Sequence, residues 1–220
     1  MNRNHLYILM DTETANGLDC PMNYNTAWSV IDQHGNTYEN FNFINRDIFF
    51  DRPELMQSAY YAHKIPQYLE QIERGEITVE TWYGIRKAFR DCCEKYPIKA
   101  VIAHNARFDY RSCTMTQRYE TCSKYRYFFP KGVEIWDTLA MARDVVAPMP
   151  TYRKWCEENG FTLKNGQPRL TAEILFRFIS KDIDFTEEHK AMEDVNIEKE
   201  IFWYCIRKHK AMRRNAFKKN

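Results

Sequence analysis

Two carboxylates stand two positions apart at the end of an apolar run. The chain passes from Tyr7, Ile8, Leu9 and Met10 straight into Asp11, and Glu13 follows. In a strand, side chains two apart share a face. If the strand persists through them, Asp11 and Glu13 reach one ligand. Like charges held together repel and raise each other's pKa, and a cation removes that cost. An all-oxygen ligand set suits a hard divalent ion, Mg²⁺ or Mn²⁺. The same two acids also suit an ordinary solvated strand end, with Thr12 and Thr14 serving the turn.

A second stretch, VIAHNARFDYR, is a buried strand running through a turn into a helix. Asp109 falls in the first turns of that helix, Phe108 packs beside it, and Asn105 is the expected N-cap. An acid near a helix N-terminus is favourable in any case, and His104 and Asn105 are ordinary turn and cap residues. The third stretch is EEHKAMEDVN. His189 and Asp194 are five apart, about 140° around an ideal helix, so they share no helical stripe. His189 joins Asp194 only from the helix start or from a loop before it. With Glu187, Glu188 and Glu193 around it, it also reads as a surface histidine among acids.

The elements that must position these residues follow from periodicity. Residues 6–10 form a buried strand. Residues 26–32 form a second, 33–36 a turn around Gly35, and 37–45 a third strand, giving an antiparallel meander. Residues 53–63 and 65–75 read as short helices, the second ended by Gly75. Val79, Trp82, Ile85, Phe89 and Cys92 recur at three or four, which predicts a long amphipathic helix capped by Thr78 and stopped by Pro97. Residues 99–105 form a strand, 106–119 a helix and 133–136 a strand, with Asp137 capping a helix over 138–145. Further helices are expected over 151–160, 171–180 and most of 185–210, with a turn at 164–169. Trp136, Asp137 and Thr138 read as core and cap rather than as ligands.

The composition fits a single α/β domain: 220 residues, 44% hydrophobic and 28% charged. No run approaches the ~18 apolar residues of a membrane span, and no secretory signal opens the chain. Seven cysteines, two of them adjacent and none in a Cys-x-x-Cys pair, predict reduced thiols in a cytoplasmic protein and no structural zinc site. The net charge of +2 is unevenly spread. Seven basic residues and no acid lie in residues 207–220, leaving the body with 25 basic residues against 30 acidic ones. That basic tail can grip phosphates or be a solvated terminus. The stretch KYRYFF (124–129) interleaves rings and cations as single-strand binding does, although Phe128 and Phe129 also suit the core. Arg107, Arg111, Lys124 and Arg126 are candidate phosphate contacts.

Taken in order, DTET, HNARFD and HKAMED resemble the three motifs of the DEDDh, or DnaQ-like, 3′→5′ exonucleases, and they span residues 11–194. The tyrosine-type branch would place Tyr where Lys190 stands, so the histidine branch fits. The resemblance implies a ribonuclease H-like α/β fold with a mixed five-stranded sheet flanked by helices. It implies an exonuclease domain over 1–206 and a basic tail over 207–220. It also implies that Asp11, Glu13, Asp109 and Asp194 hold two divalent ions, Mg²⁺ or Mn²⁺, with His189 as general base. The implied substrate is the 3′ end of single-stranded nucleic acid, DNA favoured and RNA the alternative, with nucleoside 5′-monophosphates released. A polymerase or replication partner is a further candidate, and no membrane is implied. Candidate substrate contacts are Thr14, Leu18, His104, Asn105 and Phe108. The sequence departs from the family at Gly17, which follows Glu13 by four positions where many relatives have three.

Overall fold

The structure is a computed structural model describing residues 5–121, 127–187 and 189–218. Its sheet has the strand order β4-β3-β2-β1-β5-β6: β1 Leu6–Ala15, β2 Met22–Asp32, β3 Thr37–Asn45, β4 Thr78–Glu80, β5 Ile98–Ala103 and β6 Glu134–Asp137. The helices are α1 Arg46–Phe49, α2 Pro53–Gln57, α3 Ile65–Glu73, α4 Trp82–Lys95, α5 Arg107–Glu120, α6 Thr138–Val145, α7 Pro150–Glu158, α8 Ala172–Ser180 and α9 Ala191–Arg207. The meander β1–β2–β3 is antiparallel, whereas β5 and β6 run parallel to β1.

The sheet has six strands rather than the expected five, because Thr78, Val79 and Glu80 pair in parallel with Phe43, Ile44 and Asn45 at the sheet edge. Thr78 is therefore not a cap. Thr81 caps α4 instead, its hydroxyl accepting the Gly84 N–H. Helical spacing concealed the strand, since Val79 lies three before Trp82. The Asn105 cap also fails. Asn105 takes φ +64°, the N-cap position passes to Ala106, and the Asn105 N–H donates to Asp137. Asp137 does cap α6, by accepting the Leu139 N–H at 2.9 Å.

Alternation along β1 decides which side the acids face. Leu6, Ile8 and Met10 pack with Trp28, Trp82, Phe89, Phe128 and Phe129 under α4 and α5. Tyr7 and Leu9 pack on the opposite face with residues of α6, α8 and α9, such as Ala142, Leu175, Val195 and Ile201. Asp11 and Glu13 continue the odd-numbered series, so they emerge on the α9 face. The strand does persist through them, with a register shift only after Glu13. Because β1, β5 and β6 are parallel, Asp11, His104 and Asp137 all come out at one edge of the sheet. That edge, at the carboxyl ends of the strands where the chain order reverses, is where open α/β sheets place ligands.

The basic tail folds back on the sheet as far as it is described. Asn215 bridges to Trp136, the Asp137 N–H donates to Arg214, and the Ala216 N–H donates to Ile135. Arg213 chelates Asp144 with contacts of 2.6–3.1 Å, and Arg107 donates to the Ala216 carbonyl. Lys124, Arg126, Glu188 and the last two residues lie outside the described residues. Phe128 and Phe129 are core residues, as the composition of KYRYFF allowed. Among the described residues the cysteines are free, and no helix is long and apolar enough to cross a membrane.

Candidate active site

Three separate parts of the chain converge at the β1 tip. The strand supplies Asp11 and Glu13, the first turn of α5 supplies Asp109, and the first turn of α9 supplies Asp194. Carboxylate oxygens of Asp11, Glu13 and Asp194 all lie within 4.8 Å of one another. Asp109 is held beside them by Thr12, whose hydroxyl donates to Oδ1 at 2.8 Å. Thr12 reaches it because its even position points to the α5 side of the sheet. The Ser112 hydroxyl, one turn along α5, lies 3.2 Å from that of Thr12.

His189 sits in the loop two residues before α9, the placement that its five-residue offset from Asp194 requires. Its backbone is left-handed, at φ +49°. The imidazole stacks on Tyr61, with ring centroids 4.6 Å apart and planes 16° apart. Nδ1 lies 3.7 Å from a Glu187 oxygen. Burial and the nearby Lys64 charge both hold the His189 pKa below its usual value. The ring is therefore neutral near pH 7 and able to take up a proton.

Two acids that the motifs did not flag belong to the cluster. Glu187 faces Asp194 closely enough for the pair to share a proton, and burial raises the pKa of both. Glu198 lies four residues after Asp194 and is only 2% exposed. Its Oε1 accepts the His104 N–H at 2.7 Å, while Oε2 has no hydrogen-bond partner. An i, i+4 repeat of acids on an otherwise apolar helix stripe was the available signal for Glu198. Tyr61 gave none, since one aromatic in AYYAH reads like the next.

Burial and mutual repulsion dominate the electrostatics. Desolvation first, and the Asp11 charge second, push Glu13 up to about 9. Burial, then Glu187 and Glu13, push Asp194 up to about 9. Burial lifts Asp109 as well, but only to about 7, because the Thr12 hydroxyl stabilises its charged form. Asp11 and Glu198 are raised well above the usual carboxylate range, chiefly by burial and then by neighbouring acids. Lys64 is the cation that Glu13 and Glu187 feel, one charge against six carboxyls. Buried acids with so little compensating charge, two of them with an unpartnered oxygen (Asp194 Oδ1 and Glu198 Oε2), fit hard divalent cations well.

Glu198 can be tested without reference to chemistry. Glu198→Gln keeps an acceptor for the His104 N–H and removes a repelling charge. In chelator at pH 8 that variant is expected to melt above the unmodified protein. Glu198→Leu strands the N–H and is expected to melt below it, having lost about 1–3 kcal/mol of stability. Thermal unfolding followed by circular dichroism separates the two.

The acids line one part of a cleft of 870 Å³ that also includes Tyr61, His104, Asn105, Phe108 and His189. His104 is spoken for: Nε2 donates to the Leu170 carbonyl at 2.8 Å and Nδ1 accepts from Thr138 at 2.9 Å. Burial keeps the ring neutral, which fixes that tautomer. Thr14 and Leu18 do not line the cleft. Leu18 is 76% exposed in a loop that turns through Asn16 and Gly17, both at positive φ, and the Asn16 N–H is tied to Ser58.

No protein-family model matches the sequence, and no curated protein matches it either. Solved structures do. The nuclease domain of 3′hExo, a DEDDh family member bound to rAMP, superposes with a TM-score of 0.64 at 9% identity, covering 97% of this chain and 98% of that one. A 3′-exonuclease recognising the 3′ end of a histone mRNA stem-loop gives 0.65 at 10% identity, covering 98% and 87%. This chain has the fold of those neighbours, a ribonuclease H-like mixed sheet flanked by helices. The zinc-bound complex of E. coli ExoI with single-stranded DNA gives 0.55 at 15% identity, and there this chain spans 94% of its own length but 41% of the neighbour's. Within this fold, the mixed sheet with its flanking helices is what places the four motif acids at one strand edge.

Proposed function

We propose that the chain is a metal-dependent 3′→5′ exonuclease that hydrolyses phosphodiester bonds of single-stranded DNA and releases nucleoside 5′-monophosphates. The observation that carries this reading is the convergence of Asp11, Glu13 and Asp194 oxygens within 4.8 Å, with Asp109 alongside. The fold supports it, because the neighbours named above are 3′-exonucleases and an exonuclease bound to single-stranded DNA. The same cage would serve RNA, so the exoribonuclease reading shares every residue.

Asp11, Glu13 and Asp194 would hold one Mg²⁺ or Mn²⁺ ion, and Asp11 with Asp109 the second. When bound, two such ions neutralise charge on the phosphate and stabilise the attacking and leaving oxygens. The protein's own groups do the rest. Hydrolysis needs a water at the phosphorus and a base to take its proton. His189 is neutral, stacked on Tyr61 and beside Asp194, and it takes that proton at a ring nitrogen. Glu187, 3.7 Å from Nδ1, steadies the imidazolium that results. Phe108, which lines the cleft, offers an apolar face to the terminal nucleotide. The free cysteines are in keeping with a reducing, cytoplasmic setting.

His189→Gln is expected to lower kcat by about 10²–10⁴ with little change in KM, and to remove the acid limb of the pH–rate profile. The decisive assay incubates the protein with 5′-labelled single-stranded DNA and RNA of matched sequence, with Mn²⁺ or with chelator. A ladder that shortens from the 3′ end and vanishes in chelator is expected, stronger on DNA. Metal-independent cutting, or fragments that shorten from the 5′ end, would defeat the assignment.

A further inference from the structure

The cage occupies one part of its cleft, and the remainder has a different character. Its walls are α6, α7 and a small hairpin over residues 161–169. Thr162 bridges to Pro168, the Leu163 N–H donates to Gln167, and the chain turns at Gly166 with φ +76°. The hairpin root is anchored twice. Tyr152 donates its hydroxyl to the Arg169 carbonyl, and the His104 ring holds the Leu170 carbonyl at 2.8 Å. The loop that follows the strand β5, beside the acids, is thereby joined to the hairpin that walls the cleft.

Three arginines line this part: Arg143 on α6, Arg153 on α7 and Arg169 at the hairpin root. All three are exposed, and none is in an ion pair among the described residues. Two arginines elsewhere are neutralised: Arg213 chelates Asp144, and Arg177 pairs with Glu173 at 2.7 Å. The cleft contributes no acid beside the three. Its other surfaces there are apolar or neutral, among them Leu139, Pro148, Leu163 and Gln167. Arg153 Nε donates to the Ala147 carbonyl at 2.9 Å, and a trough whose three guanidinium groups face no carboxylate, between apolar walls, complements a chain of phosphates joined by flat, apolar bases. At 870 Å³ the whole cleft is far larger than a reacting phosphate requires.

We infer that this trough is the path of the substrate strand, with Arg143, Arg153 and Arg169 contacting phosphates 5′ of the bond that is cut. The inference rests on the exonuclease reading of the cage and adds to it a direction and a dependence on length. A strand with its 3′ end in the cage continues along α6, α7 and the hairpin. A substrate with no upstream phosphates gains nothing from the arginines.

The test compares a twelve-residue oligothymidylate with the p-nitrophenyl ester of thymidine 5′-monophosphate, which presents a cleavable phosphodiester and no upstream strand. The variant is Arg143→Gln with Arg153→Gln and Arg169→Gln. Its KM for the oligonucleotide is expected to rise at least tenfold, while turnover of the ester stays within twofold. Each lost contact removes roughly 0.7 from the slope of log affinity against log salt, so the salt dependence should flatten by about 2. Replacing the three by Lys instead should restore most of that slope. An unchanged oligonucleotide KM and salt slope would overturn the inference, and so would an equal loss on both substrates. If the unmodified protein cleaves neither substrate, the exonuclease reading fails separately. Anisotropy of dye-labelled oligothymidylate then decides the trough: weaker binding by the Gln variant upholds it, and equal binding overturns it.

Discussion

Asp11→Asn is expected to lower oligonucleotide turnover by at least a thousandfold and, in the same molecule, to raise the melting temperature of the metal-free protein at pH 8. A thousandfold loss corresponds to about 4 kcal/mol of transition-state stabilisation, within what two ions that Asp11 would help to hold could supply. The opposite sign on stability follows from the apo electrostatics. Asp11 is half-buried, and desolvation first, then Asp109, Asp194 and Glu187, raise its pKa. Removing its charge relieves that repulsion while Asn preserves the shape. The paired outcome distinguishes a functional acid from a structural one, because a structural acid would lose stability when replaced. Steady-state turnover and thermal unfolding in chelator measure the two halves. An Asn variant that keeps its activity would remove Asp11 from the mechanism.

The second large effect is on stability against pH. Glu13 and Asp194 in the folded chain stand at about 9 and Asp109 at about 7, against about 4 in an unfolded chain. Folded-state values above unfolded ones mean that the native protein holds protons which the unfolded chain has released. The contribution of these groups is fully present below about pH 4 and is lost as pH rises toward 9. Each extra proton held in the native state costs about 1.4 kcal/mol per pH unit. Metal-free protein is therefore expected to be markedly less stable at pH 8.5 than at pH 5.5. Millimolar Mn²⁺ or Mg²⁺ should restore most of the difference at high pH and do little at low pH, where protons occupy the sites. Urea unfolding at the two pH values, with and without metal, measures this. A flat pH profile in chelator would mean that the acids are not packed as described.

The parts of this fold that were legible in the sequence are those fixed by local rules. Alternation and turn chemistry place β3 over residues 37–45 and its turn at Gly35, and Asp137 caps α6 as its position before an apolar helix suggests. The site was legible for a different reason. Each motif alone is ambiguous, but the strand-end spacing of Asp11 and Glu13 and the offset of His189 from Asp194 each make a geometric demand, and the structure meets both. What escaped was decided by tertiary partners. Thr78–Glu80 is a strand only because β3 offers an edge to pair with. Asn105 is no cap, since its backbone turns left-handed at φ +64° and Asp137, at the end of the distant strand β6, claims its N–H. Glu187 and Glu198 resemble any acids on a helical surface until folding buries them beside Asp11 and Asp194.

The order in which the acids occur along the chain has a consequence for synthesis. Asp11 and Glu13 leave the ribosome first and Asp109 midway, but His189 and Asp194 only in the last fifth of the polypeptide. A nascent or prematurely terminated chain ending before α9 can lay down the meander and even the second motif. It still lacks both Asp194, which closes the ring of oxygens, and His189, the proposed proton acceptor. On the proposed function, a chain that stops before α9 would therefore carry no working site.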